Sequence, residues 1–153
     1  MLLAGVGSRL STDDAIGLEL VARLAPLPPG VEARLWEDAD ALTLAAGLLD
    51  LDRPALIVDC ADMGLAPGGA RLFRDSDARL GRRLRALSTH GLGLAEALDI
   101  ARRLGLAWPV HLFGVQPFHL GPGARLSPPM QTRLPALLDE LGAALRGLTG
   151  TPA

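Results

Sequence analysis

Four consecutive apolar residues, Ala55-Leu56-Ile57-Val58, run straight into a carboxylate at Asp59. A run this short and unbroken suits a strand covered on both faces, the habit of parallel sheets with helices packed above and below. Working outward toward the N-terminus, residues 40–49 carry a helical pattern and residues 31–36 read as another strand. Before them, Ile16, Leu20, Val21 and Leu24 recur at helical spacing within residues 13–24, with Thr12 or Asp13 placed to cap the start. Pro26, Pro28, Pro29 and Gly30 end that helix, and residues 1–6 (MLLAGV) form the first strand.

Toward the C-terminus, residues 70–73 suit an extra strand at the sheet edge. A helix follows over residues 92–104, a strand over 110–115 and a closing helix over 128–148, with Pro135 near a break or in the first turns. Such alternation predicts an α/β fold: a three-layer α/β/α arrangement around a twisted, mostly parallel sheet of about five strands. Residues 1–148 form one domain and 149–153 a frayed tail. In open sheets of this kind ligands bind beyond the carboxyl ends of the strands, so the segments after Val6, Trp36, Val58 and Val115 matter most.

The bulk numbers agree with one globular domain. The chain has 153 residues, 49% of them apolar and 21% charged, enough for a sizeable core. A net charge of −2 gives no reason to expect nucleic acid or a membrane surface as partner. No apolar run reaches the roughly 20 residues needed to span a bilayer, and Met1 leads into a strand rather than a secretory signal. The expectation is a monomer in the cytoplasm. The one cysteine, Cys60, reads as a small buried side chain; no neighbouring base supports it as a nucleophile.

Three chemically competent groups fall at the strand ends. Asp14 follows the first strand, Asp59 closes the third, and His90 precedes a helix in Ser88-Thr89-His90-Gly91. Each has an ordinary reading taken alone: a helix-dipole partner for Asp14, a turn residue for Asp59, a locally satisfied imidazole for His90. Together they would occupy neighbouring connections on one edge of the sheet. Two carboxylates and an imidazole suit a borderline divalent metal such as Ni, Zn or Mn, and leave positions open for water or substrate. His119, after the last strand, could reach the same cleft, whereas His111 at a strand start faces away. Arg79, Arg82, Arg83 and Arg85 form a basic run that reads as a solvated face or as a docking patch. The turn Gly5-Val6-Gly7-Ser8-Arg9-Leu10 has Leu10 where a dinucleotide fingerprint needs its third glycine, which counts against a nucleotide-binding enzyme. Neither a Gly-x-Ser-x-Gly elbow nor a His-Glu-x-x-His helix is present.

Several blocks, in order along almost the whole chain, resemble the hydrogenase maturation endopeptidase family. Gly5-Val6-Gly7-Ser8 with Asp13-Asp14-Ala15-Ile16-Gly17 is similar to that family's opening turn. Leu56-Ile57-Val58-Asp59 with Asp62-Met63-Gly64 resembles its central strand and loop, and Ser88-Thr89-His90 its histidine segment. Phe113-Gly114-Val115-Gln116-Pro117 and Leu126-Ser127 resemble its last strand and following loop. The resemblance implies a metal site at Asp14, Asp59 and His90. It also implies one cut, which removes a C-terminal peptide from the large-subunit precursor of a nickel–iron hydrogenase. The ion is Ni2+ brought in by the substrate; Zn2+ or Cd2+ could take the same ligands in a crystal.

Asp38 or Asp62 would assist proton transfer, and Ser8, Glu37, Asp62 and His119 would contact substrate. Two departures stand out. Ser8 replaces the usual Asn, and Glu37-Asp38-Ala39-Asp40 replaces an Asp-Gly-Gly-Thr or Asp-Gly-Gly-Ser loop, losing glycines that permit unusual backbone angles. A non-cleaving, nickel-sensing chaperone of the large subunit is the competing reading.

Overall fold

The computed structural model describes residues 1–75 and 93–150. Its single sheet contains β1 (Leu2–Gly7), β2 (Glu32–Glu37), β3 (Ala55–Cys60), β4 (Ala70–Phe73) and β5 (Val110–Val115). The spatial order is β2-β1-β3-β5-β4, with every neighbouring pair parallel except β4 against β5. The extra strand therefore sits at the edge, as the sequence suggests, and runs antiparallel.

Alternation along the strands sorts the core into two layers. Leu2, Ala4, Val6, Ala55, Ile57, Val110 and Leu112 face one side, against α2 (Ala41–Leu49) and α3 (Leu94–Arg103). Leu3, Leu56, Val58, Cys60, Phe113 and Val115 face the other, against α1 (Ile16–Arg23) and α4 (Pro128–Thr149). Both faces of the central strands are buried, which is why β3 reads as an unbroken apolar run rather than an alternating one.

Element ends depart from the sequence reading in instructive ways. The 13–24 helix begins as a 3-10 turn, Thr12–Ala15, before α1 proper, and no side chain caps either start. The expected caps are committed elsewhere: Thr12 Oγ1 donates to the Gly121 carbonyl at 2.6 Å, and the Asp13 carboxylate accepts from the 118–127 segment. Asp40 is an N-cap instead of the first helical residue, accepting from Thr43 N at 2.7 Å. Asp59 lies inside β3, since the strand continues to Cys60. Pro135 is carried within α4 without ending it, and that helix runs on to Thr149 before Gly150 turns left-handed at φ 68°.

Close approach fixes where α1 sits. A Cβ on Gly17 would stand 2.3 Å from the Val58 carbonyl oxygen and 2.5 Å from that of Val6. Only glycine lets the start of this helix rest directly on the carboxyl ends of β1 and β3.

Candidate active site

The sheet order creates one topological switch. From β1 the chain crosses through α1 to β2 on one side, while β3 lies on the other side of β1. The crevice between the carboxyl ends of β1 and β3 is where an open α/β sheet receives a ligand. A cavity of about 220 Å³ opens there, lined by Gly7, Ser8, Asp14, Asp38, Ala39, Leu44, Asp59, Gly93 and Leu94, among others.

Asp14 reaches the cavity from the 3-10 turn after β1. Its Oδ2 accepts from Ser8 N at 3.0 Å. Asp59 reaches it from β3, on the α2/α3 side that alternation assigns to Ala55 and Ile57. Its Oδ1 accepts from Cys60 N at 2.8 Å. Burial, then the charge of Asp14, pushes the Asp59 carboxyl up to about 7, against the opposing pull of the Cys60 N–H. At neutral pH this pair therefore has an appetite for a proton or a cation. Burial and the surrounding carboxylates drive the Cys60 thiol far above its ordinary range, so it stays protonated and inert. The thiol carries no nucleophilic chemistry.

Asp38 borders the same cavity with φ +50°, a left-handed backbone held by its N–H donating to the Gly7 carbonyl at 3.0 Å. The loop keeps the conformation that glycines would supply, and keeps it with an aspartate, one of the few residues that tolerate it.

Known proteins were compared with the chain. The family model described as hydrogenase maturation protease matches residues 47–143, well over half of the chain. The hydrogenase 2 maturation protease of Escherichia coli K12 is 31% identical, over 95% of this chain and 90% of its own. The hydrogenase expression/formation protein HupM of Azotobacter chroococcum is 32% identical, over 99% of this chain and 75% of its own. Among solved structures, the hydrogenase maturating endopeptidase HybD from E. coli superposes with a TM-score of 0.77 at 32% identity, covering 95% of this chain and 91% of that one.

The chain belongs to the hydrogenase maturation protease family. It is thus a peptidase by descent, and its α/β fold is that of solved members. The matched span contains Asp59 and His90 and begins after Asp14.

Of the residues singled out in the sequence, the fold of this family member gathers Ser8, Asp14, Asp38 and Asp59 around one cavity. His90 and the basic run at Arg79, Arg82, Arg83 and Arg85 lie outside the described residues. Among the described residues no three His, Cys, Asp or Glu side chains come close enough to hold one metal ion; Asp14 and Asp59 interact as a pair. The other named residues stand apart from the cavity lining. Glu37 is exposed and pairs with Arg9 at 3.4 Å. Asp62 Oδ1 accepts from Gly64 N and from Gln116 Nε2, inside a loop that Gln116 also holds through Met63 N and Leu65 N. His119 is exposed, with its backbone N–H tied to Asp13. His111 lies in β5 and its Nδ1 accepts from Asp75 N at 3.0 Å, away from the cavity.

Sequence reading missed Asp13. It is completely buried, and its carboxylate accepts four hydrogen bonds, from Phe118 N, His119 N, Ser127 N and Ser127 Oγ, all between 2.8 and 3.0 Å. Adjacent to Asp14 in sequence, it fastens the turn that presents Asp14. Nothing in the one-dimensional pattern distinguishes the two acids, because the partners that set Asp13 apart lie more than a hundred residues away.

Proposed function

We propose that this chain is the endopeptidase that removes a C-terminal peptide from the nickel-loaded large-subunit precursor of a nickel–iron hydrogenase. The observation that carries the reading is the convergence of Asp14 and Asp59 at the β1/β3 switch point, with Asp59 raised to about 7. Membership of a family of hydrogenase maturation proteases supports the same substrate class.

The donor chemistry fits a divalent ion. Two carboxylates that burden each other electrostatically are relieved by a shared cation, and hard oxygens with one imidazole suit Ni2+. In this reading nickel arrives as part of the precursor and is met by Asp14, Asp59 and His90. An ion so placed supplies a Lewis acid to a neighbouring carbonyl. The chain's own groups orient the rest. Ser8 N holds Asp14 in place, and Asp38 at the rim stands where it can pass a proton. Glu37, Asp62 and His119 contact the approaching substrate outside the cavity. The protein works as a monomer in the cytoplasm, and no described helix is long and apolar enough to cross a membrane.

The test is incubation with nickel-loaded precursor, followed by intact mass of the large subunit. Wild type should produce a shorter C-terminus; Asp14→Asn and His90→Ala should produce none while keeping the wild-type circular dichroism spectrum. Undiminished processing by His90→Ala removes the site assignment, and binding without mass loss by wild type removes the protease.

A further inference from the structure

A second concavity lies directly across the same turn. It measures about 460 Å³ and is walled by Arg9, Glu19, Arg23 and Arg125 over Ala15 and Leu126. Consecutive residues serve the two sites: Ser8 and Asp14 border the carboxylate cavity, while Arg9 and Ala15 border this groove. A chain lying over the turn would touch both.

The groove reverses the sign of its surroundings. The protein carries a net charge of −2, yet three guanidiniums meet here against one carboxylate in the wall, Glu19, and one beside it, Glu37, which also pairs with Arg9. Glu19 is shared: it pairs with Arg9 and with Arg23, the latter at 2.7 Å. Arg125 makes no ion pair or hydrogen bond among the described residues, and it is exposed. Glu19 itself shows what such a wall receives, since guanidinium forks match carboxylates in geometry as well as charge.

We infer that this groove is a subsite for the precursor, receiving an acidic side chain a few residues from the scissile bond, with Arg125 as its specificity-determining contact. The inference rests on the proposed protease reading and adds to it a sequence preference. An extended chain advances about 3.3 Å per residue, so a groove one turn away addresses near neighbours of the cut rather than a distant part of the precursor.

The experiment is steady-state cleavage of nickel-loaded precursor by wild type, Arg125→Gln and, as a charge control on the opposite face, Arg103→Gln. Arg125→Gln should raise KM about tenfold with kcat within about twofold, as loss of binding made equally in ground and transition states does. The effect should shrink as salt rises. A precursor with the Asp and Glu residues nearest the cut changed to Asn and Gln should raise KM for wild type and leave Arg125→Gln unmoved. A KM that Arg125→Gln leaves unchanged while wild type cleaves overturns the subsite and spares the protease. Equal effects of Arg125→Gln and Arg103→Gln, or indifference of wild type to the neutralised precursor, also overturn it. A wild type that cleaves nothing overturns both.

Discussion

Asp13 and Asp14 are neighbours in sequence with opposite duties. Asp14 faces the cavity, while Asp13 is sealed beneath it and satisfied by four donors. Replacing Asp13 by Asn turns two acceptors into one and aims an amide at N–H groups. A buried donor left unmet costs about 1–3 kcal/mol, so Asp13→Asn should lower stability by about 3 kcal/mol or more, read as a melting temperature down by about 10 °C. His111 makes a gentler case. Burial holds its imidazole below the ordinary range, and its bare Nδ1 accepts from Asp75 N. The unfolded chain therefore takes up a proton that the fold refuses. This contribution is complete above about pH 6.5 and is lost as pH falls below it. His111→Asn, whose amide oxygen can accept the same N–H, should flatten the decline in melting temperature between pH 7 and 5; an unaltered slope would assign that decline elsewhere.

At the scale of elements, the β2–α2 loop borders the cavity through Asp38 and Ala39. The loop lacks the glycines that permit unusual backbone angles, yet it keeps a left-handed residue at Asp38, φ +50°. Aspartate bears that conformation at a cost that glycine avoids and a β-branched residue bears badly. Asp38→Gly should hold or raise stability, whereas Asp38→Val should lower it by about 1–2 kcal/mol, both measurable by urea denaturation. Most elements were legible because their signals are local: apolar runs for β1, β3 and β5, helical spacing for α1, a proline–glycine cluster after it. Asp14 and Asp59 were legible as site candidates through one topological rule about strand ends. Asp13, the Gln116 clamp on residues 63 and 65, and the 3-10 start of α1 were not. Each depends on a partner distant in the chain, and periodicity carries no such information.

Among the described residues of the whole molecule, two cores are divided by one sheet, one under α1 and α4 and one under α2 and α3. The strands contribute alternate residues to each, so neither core can loosen alone. Leu137 is fully buried on the α1/α4 side, and Leu137→Ala should remove about 2–4 kcal/mol through the cavity it leaves. Trp36 packs on the opposite side. Its fluorescence should nonetheless lose its folded signal at the same lowered temperature as the circular dichroism; two separate transitions would show the cores to be independent.

The fastening of Asp13 to residues 118, 119 and 127 has a consequence for synthesis. A ribosome delivers the first turn more than a hundred residues before its anchor. Until residues 118–127 emerge, Asp13 lacks its donors and the turn that carries Asp14 is held by local bonds such as the one from Ser8 N. Completion of this wall of the cavity therefore follows the synthesis of the turn itself by more than a hundred residues.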